Sequence, residues 1–147
     1  MQVLPYLFFD GRCEEAADFY CSTLGAEVMM LMRMKEGPEP SGACKAQIPA
    51  GSENKIMHMT LRVGESIVHA SDGRCQGNPD FKGFSLSLNA SSDAEAERLF
   101  AALSEGGQVQ MAMGETFYAS RFGMAVDRFG VPWMVIVPLE RPARGPD

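Results

Sequence analysis

The hydrophobic positions of this chain follow first a strand pattern and then a helix pattern. Val3–Phe9 is a short apolar and aromatic run that ends at Asp10-Gly11, which is typical of a buried strand followed by a turn. From Cys13 the apolar residues recur at i, i+3, i+4 and i+7, which predicts an amphipathic helix, and Gly25 is placed to end it in a left-handed conformation. Glu27–Met34 is predicted to be the next strand.

A hairpin completes this first half of the chain. The predicted strands Lys55–Val63 and Ser66–Ser71 flank Gly64-Glu65, and a glycine at the first turn position suits a two-residue type II′ turn. In that register His69 lies diagonally across from His58 on the same sheet face, about 7–8 Å away. Residues 35–54, ahead of the hairpin, are rich in glycine and proline and are predicted to form a long loop.

The same order of elements returns about 80 residues later. Gly83–Asn89 alternates as a strand, Ser92 begins a helix with a capping-box pattern, and Gly106-Gly107 ends that helix. Three further strands are predicted at Val109–Met113, Ala119–Val126 and Trp133–Val137. A repeat of whole supersecondary units indicates two related modules. The predicted fold class is therefore α+β, with a βαβββ module written twice.

The chain of 147 residues has the length of a single domain. Within it we place module 1 at about residues 1–72, a polar connector at 73–82, module 2 at about 83–138 and a frayed tail at 139–147. Hydrophobic residues make up 46% of the chain and charged residues 22%, which is the balance of a soluble globular protein. The formal net charge of −6 argues against nucleic acid and an anionic membrane surface as partners.

The cysteines and the N-terminus bear on the compartment. Cys13 and Cys21 fall on one predicted helix about 12 Å apart, too far for a disulfide, and Cys44 and Cys75 fall in separate loops. No Cys-x-x-Cys pair is present, so we expect free thiols. No apolar run approaches the roughly 20 residues that span a bilayer, and the first residues lack the pattern of a secretory signal. We therefore expect a cytoplasmic protein.

Several short motifs of the chain resemble those of one superfamily. Residues 17–26 place the aromatic pair Phe19-Tyr20 before Leu-Gly, and residues 127–134 read Asp-Arg-Phe-Gly-Val-Pro-Trp-Met, like a last hairpin of the Asp-Pro-Phe-Gly type. Two further motifs belong with these, namely Gly83-Phe84-Ser85-Leu86 and Glu115-Thr116-Phe117-Tyr118-Ala119. In this order, over about residues 3–137, they resemble the vicinal oxygen chelate superfamily of glyoxalase I, extradiol dioxygenases and bleomycin-resistance proteins, and its PhnB-like branch in particular.

This resemblance implies two curved sheets, mixed or mainly antiparallel, around one cavity, with the helices outside and two chains in a homodimer. Some members of the branch carry a demethylubiquinone methyltransferase label. The sequence contains no Gly-x-Gly-x-x-Gly loop between a strand and a helix, so it offers no support for a nucleotide-type cofactor site.

Metal-dependent members of the superfamily carry ligands on the first and last strands of each half. The matching positions here hold Pro5, Phe84, Met134 and either His69 or Ser71. Proline and phenylalanine cannot coordinate a cation, and methionine is a poor ligand for hard divalent metals. We therefore expect no metal cofactor at the usual site. A displaced divalent metal held by His58 and His69 is the alternative.

A small set of side chains could take part in catalysis or bind a ligand. His58 and His69 form either a metal site, an acid–base pair or pocket-lining residues bonded to backbone. Asp72 and Glu115 are the carboxylates nearest predicted strand ends, so both are catalytic candidates, although Glu115 also fits a solvated turn. The residues predicted to bind a ligand share positions on or beside the strands of the two halves: Pro5, Leu7, His69, Phe84, Leu86, Tyr118, Ser120 and Met134.

Three functions are consistent with these sequence features. The first is a PhnB-like protein that binds a small apolar or aromatic molecule without the usual metal. The second is a metal-dependent lyase, isomerase or dioxygenase with a non-standard site around His58 and His69. The third is an interaction module whose cavity is vestigial. The eleven methionines suit either an adaptable apolar cavity or a flexible core.

Overall fold

The computed structural model describes residues 1–37, 50–73, 75 and 78–140 of the chain. Cys44, most of the predicted loop at 35–54 and most of the predicted tail lie outside the described residues. The chain divides into two compact units, Met1–Asp80 and Phe81–Asp147. Each unit contains one α-helix and one four-stranded sheet, so the α+β fold and the repeated βαβββ module are confirmed.

The first unit follows the predicted order with small changes at its boundaries. Its elements are β1 (Tyr6–Phe8), α1 (Cys13–Leu24), β2 (Glu27–Arg33), a 3-10 turn (Met34–Glu36), β3 (Ile56–Val63) and β4 (Ser66–Ser71). The sheet order is β1-β4-β3-β2, with β1 parallel to β4 and the other pairs antiparallel. The sheet is therefore mixed, and β1 and β2 are its two edges.

The hairpin register and the end of the first helix are as predicted. Val63 pairs with Ser66 and Thr60 with His69, so Gly64 and Glu65 are the two turn residues. Gly64 has a φ of 59°, which a type II′ turn requires at its first position. Helix α1 ends at Gly25, whose φ of 66° is left-handed.

The second unit contains β5 (Leu86–Asn89), α2 (Asp93–Ser104), β6 (Gln108–Gly114), β7 (Ala119–Val126) and β8 (Pro132–Pro138). The sheet order is β5-β8-β7-β6, and β5 is parallel to β8. Ser92 caps α2 by accepting a hydrogen bond from the amide of Glu95, as predicted, but the Glu95 carboxylate returns to Ser91 rather than to Ser92. Strand β5 begins later than predicted, which leaves Phe84 outside the strand.

Each sheet buries one face, and the helix of its own unit packs on that sheet. In the first unit the buried positions include Leu7, Met59 and Ala70. In the second, Trp133 is buried, and its indole N–H donates to Asp127 at 2.9 Å. Asp127 also accepts hydrogen bonds from the backbone amides of Phe129 and Val131, so this buried carboxylate fixes the turn ahead of β8.

Candidate functional site

A cluster of aromatic rings lies on the sheet face of the first unit that is opposite to its buried positions. Tyr6 of β1 pairs with His69 of β4, and His69 in turn pairs with Thr60 of β3. Residues that are directly paired share a sheet face, and so do residues two apart on one strand. Tyr6, Phe8, His58, Thr60 and His69 therefore lie on one face. We call these five residues the ring cluster.

The rings of this cluster are within stacking distance of one another. The ring centroid of Tyr6 lies 5.0 Å from Phe8, 5.5 Å from His58 and 6.0 Å from His69. The two imidazole centroids are 5.1 Å apart, so the predicted diagonal placement of the histidines is confirmed. Aromatic pairs attract one another at separations of about 4.5–7 Å. The cluster is therefore a contiguous aromatic surface rather than a set of isolated rings.

Hydrogen bonds join the polar groups of the cluster in a line. The Tyr6 hydroxyl lies 2.9 Å from Nδ1 of His58. The Thr60 hydroxyl lies 3.3 Å from Nε2 of His58 and 3.1 Å from Nδ1 of His69. Both nitrogens of His58 and one nitrogen of His69 are thus engaged with hydroxyl groups.

The surroundings favour the neutral imidazole at His58. Burial lowers the pKa of His58 below its ordinary value of 6.5, and His69 beside it lowers that pKa further. The neighbouring rings remain open to solvent, since Tyr6 is 40% exposed and Phe8 is 57% exposed. A neutral, partly exposed aromatic surface suits contact with another uncharged ring.

The donor set of the cluster does not fit a divalent metal ion. Protein metal sites of this type use at least three side-chain ligands, as in the His₃ and His₂Glu zinc sites. Within the described residues, no group of three histidine, cysteine, aspartate or glutamate side chains could hold a metal. The nitrogens of His58 are already hydrogen-bonded to Tyr6 and Thr60, so coordination would first have to break those bonds. Pro5 contributes only its carbonyl, which accepts from the amide of His69 at 2.9 Å.

The two carboxylates proposed as catalytic candidates are not parts of the ring cluster. Asp72 is 1% exposed, and its oxygens accept hydrogen bonds from the amides of Gly11, Cys13 and Ile56 at 3.0, 2.8 and 2.6 Å. These bonds hold the start of α1 against the start of β3. Glu115 is exposed in the second unit, between β6 and β7.

The predicted ligand-binding residues divide between the two faces of the sheets. Leu7 is 4% exposed and lies on the buried face, opposite to its neighbours in the ring cluster. In the second unit Leu86 pairs with Trp133, whereas Met134 pairs with Ser87, so Leu86 and Met134 lie on opposite faces.

The second unit holds the other three predicted residues of this set. Phe84 is 42% exposed and meets Phe81 edge to face at 6.4 Å, and Tyr118 is 40% exposed. Simple alternation predicts Ser120 on the same face as Tyr118. The strand is irregular between Ala119 and Arg121, however, and the Ser120 hydroxyl donates to Asp93 of α2 at 2.5 Å. The Ser120 hydroxyl is thus directed to the helix.

Tyr6, Phe8 and Thr60 are parts of the ring cluster that the sequence analysis missed. The available signal for Thr60 was the hairpin register, which places it directly opposite His69. Tyr6 and Phe8 depend on the parallel pairing of β1 with β4, and local periodicity contains no information on that pairing.

An open cleft beside the start of α1 is polar. Its lining includes three basic side chains, Arg12, Arg33 and Lys55, together with several acidic ones. Arg12 pairs with Glu15 at 2.8 Å, Arg33 pairs with Glu14, and Lys55 donates to the carbonyl of Gly11 at 2.8 Å. The basic side chains of this cleft are therefore engaged within the unit.

Comparison with known proteins shows the family. Residues 1–136 match the family described as 3-demethylubiquinone-9 3-methyltransferase. Protein YjdN of Escherichia coli K12 is 35% identical over 147 residues, which cover 98% of this chain and all of that protein. The crystal structure of PA1353 from Pseudomonas aeruginosa is 44% identical, with a TM-score of 0.80 over 95% of this chain and 99% of that one.

More distant structures show the fold alone. A putative 3-demethylubiquinone-9 3-methyltransferase, the PhnB protein from Bacillus cereus, is 23% identical, with a TM-score of 0.74 over 93% of this chain and 99% of that one. Structures of the glyoxalase/bleomycin resistance/dioxygenase class align at 12 and 13% identity. The chain therefore belongs to this PhnB-like family, and it has the fold of the glyoxalase/bleomycin resistance/dioxygenase proteins.

Proposed function

We propose that this protein binds a small aromatic or apolar molecule through the ring cluster and that it does so without a metal ion. The observation that carries the proposal is the gathering of four rings on one sheet face, with Tyr6 and Phe8 40% and 57% exposed. Contiguous exposed apolar surface on a soluble protein typically marks a binding site. An incoming ring would gain the same edge or stacking contacts that the cluster rings make with one another.

The polar groups of the cluster would orient such a ligand. Binding sites for small molecules combine a mainly apolar lining with a few placed donors and acceptors. Here Tyr6 and His69 provide those groups at two ends of the hydrogen-bonded line. The net charge of −6 favours a neutral ligand over an anionic one.

The described residues support binding better than they support methyl transfer or metal chemistry. The sequence contains no Gly-x-Gly-x-x-Gly loop of the kind that holds a nucleotide-type cofactor. Both nitrogens of His58 and Nδ1 of His69 are hydrogen-bonded to hydroxyl groups, which weighs against the alternative of a metal-dependent lyase, isomerase or dioxygenase.

Binding of 2-naphthol, followed by its fluorescence anisotropy, tests the proposal. The Phe8→Ala variant removes the most exposed ring of the cluster and should weaken binding about two- to twelvefold, from the loss of about 0.5–1.5 kcal/mol of ring contact. The matched control is Phe117→Ala, which removes a 93% exposed ring from the second unit. Equal affinity of the Phe8→Ala variant and the wild type would overturn the proposal, as would an absence of binding to the wild type.

We also propose that two copies of the chain associate through β2. This edge strand exposes Val28, Met29 and Met30 by 43, 52 and 43%, and unpaired edges of this kind readily pair with another chain. Light scattering should give twice the monomer mass of 16.0 kDa for the wild type. The Met29→Lys variant, which places a charge on β2, should give the monomer mass. The control Val3→Lys, at an exposed position outside the strands, should remain a dimer. A monomeric wild type would contradict this proposal.

The cytoplasm is the compartment we propose for this protein. Cys13, Cys21 and Cys75 are free thiols, which persist in a reducing compartment. Among the described residues, no helix is long and apolar enough to cross a membrane.

A further inference from the structure

The hydrogen bonds of the ring cluster form one unbranched chain with two consistent arrangements of protons. A neutral imidazole has one N–H donor and one acceptor nitrogen, and a hydroxyl group has a single proton to donate. If Thr60 donates to His69, then His58 must donate to Thr60 through Nε2, and Tyr6 must donate to His58. If Thr60 donates to His58, every one of these bonds reverses.

The two arrangements present opposite groups at the ends of the chain. In the first, Nε2 of His69 carries a proton and the Tyr6 oxygen offers a lone pair. In the second, Nε2 of His69 offers the lone pair and the Tyr6 hydroxyl has a proton to donate outward. One end is therefore always a donor while the other is an acceptor, and a proton gained at one end releases a proton at the other.

The surroundings keep His58, at the middle of the chain, in its neutral form. The pKa of His58 is lowered by burial and by His69, so its imidazole is uncharged at neutral pH. Strand β2 places Met30 and Met32 beside Thr60 and His58, and neither side chain is charged. Further along the same strand pair, Glu27 lies opposite Arg62 and forms an ion pair with it at 2.5 Å, and Arg33 opposite Ile56 forms an ion pair with Glu14, so these charges are paired.

We propose that Tyr6, His58, Thr60 and His69 form a metal-free proton relay that interconverts the tautomers of an enolisable aromatic carbonyl compound. The inference rests on the proposed function, because the ligand must first bind at the ring cluster. The rings at the two ends, Tyr6 and His69, have centroids 6.0 Å apart, so a ligand lying over them can reach both. Relays of this kind do general acid–base work, which typically contributes about 10²–10⁴-fold in rate.

The proton balance of the step closes without a further reactant. Nε2 of His69 takes a proton from the carbon beside the ligand carbonyl, and Nδ1 of His69 passes its proton to the Thr60 oxygen. Thr60 passes its own proton to Nε2 of His58, and Nδ1 of His58 passes one to the Tyr6 oxygen. The Tyr6 hydroxyl gives its proton to the ligand carbonyl oxygen. The C–H electron pair becomes the C=C bond of the enol, and the chain is left in its reversed arrangement. Water restores the chain by taking a proton from Nε2 of His69 and returning one to the Tyr6 oxygen, since both residues are accessible to solvent.

Relaxation of 1-phenylbutane-1,3-dione between its keto and enol forms tests the relay, because the two forms absorb differently in the ultraviolet. We expect the wild type to accelerate relaxation at least about 100-fold over buffer at equal pH. Thr60→Val breaks the chain at its centre and should lose about tenfold or more of that acceleration, whereas Thr60→Ser retains the hydroxyl and should keep it. Thr23→Val is the matched control, since Thr23 bonds to a carbonyl within α1.

The outcomes separate the relay from the binding proposal. If the wild type binds the dione in a fluorescence titration but gives no acceleration, or if Thr60→Val keeps the wild-type rate, the relay is wrong and binding stands. If the dione and 2-naphthol both fail to bind, both proposals fail.

A measurement on the wild type avoids any dependence on variant folding. The chain has two histidines, so their ¹⁵N resonances can be assigned directly. Both arrangements give the two imidazoles the same tautomer, Nε2–H in the first and Nδ1–H in the second. We therefore expect equal tautomer fractions for His58 and His69. One histidine in each tautomer would overturn the relay.

Discussion

Replacing Asp72 by asparagine tests whether this carboxylate serves the fold or the chemistry. Asp72 is 1% exposed, and its two oxygens accept three backbone amide bonds, from Gly11, Cys13 and Ile56, at 2.6–3.0 Å. Asparagine keeps one acceptor oxygen, which can serve Gly11 and Cys13. The side-chain NH2 group of asparagine then takes the place of Oδ2, so that two donors face each other and the N–H of Ile56 loses its acceptor.

The expected cost follows from that one broken contact. A hydrogen bond to a charged group contributes about 1.5–3 kcal/mol, and a buried donor left without a partner costs about 1–3 kcal/mol. These terms overlap, so we expect Asp72→Asn to lower the free energy of unfolding by about 2–4 kcal/mol. That is a large share of the roughly 5–15 kcal/mol that stabilises a typical domain.

Urea unfolding followed by circular dichroism measures this loss, with an unchanged slope against urea. The control is Asp18→Asn at an exposed position of α1, which should change stability by less than about 0.5 kcal/mol. At urea concentrations below its unfolding midpoint, the Asp72→Asn protein should bind 2-naphthol as tightly as the wild type. A stability loss equal to that of the control would refute the reasoning. Lost binding with retained stability would return Asp72 to the candidate catalytic residues.

Three further predictions concern stability and reactivity. Gly107→Ala should destabilise strongly in urea unfolding, because an added Cβ would lie 2.0 Å from the Val126 carbonyl oxygen, whereas Gly114→Ala meets nothing nearer than 3.9 Å and should be mild. The lowered pKa of His58 means that the unfolded chain binds more protons, so the contribution of His58 to stability should be present above about pH 6.5 and lost below it. A pH series of wild type against His58→Gln measures this, and a parallel course would contradict it. Burial, together with the carboxylates of Asp72 and Glu14, raises the pKa of Cys13 and keeps it a thiol. Iodoacetamide should therefore label Cys13 only after unfolding, which mass spectrometry of peptides detects. Rapid labelling of Cys13 in the native protein would refute this prediction.

Local patterns were sufficient to predict the elements and their order. Helix α1 and its end at Gly25 follow from a 3.6-residue period and a glycine in the required place. The pairing of Thr60 with His69 follows from a two-residue turn, because turn length alone sets the register of a hairpin. The proximity of His58 and His69 could therefore be inferred from the sequence alone.

The remainder of the site depends on contacts between distant segments. Tyr6 lies beside His69 because β1 pairs in parallel with β4, and the intervening helix leaves no periodic signal of that partnership. The faces of Leu7 and Leu86 follow from the same type of pairing. At Ser120, an irregularity in β7 breaks the alternation on which the face prediction depended.

Every strand pair of the two sheets joins strands of the same unit. Duplication of such a self-contained module gives a chain two copies of each position, and a substitution in one copy leaves the other in place. Both histidines of the chain lie in the first copy, while Ser87 and Met134 occupy paired positions in the second. The two modules therefore share a backbone arrangement but not the side chains that could carry chemistry. A gene divided between Asp80 and Phe81 would leave the complete proton-carrying chain on the first fragment.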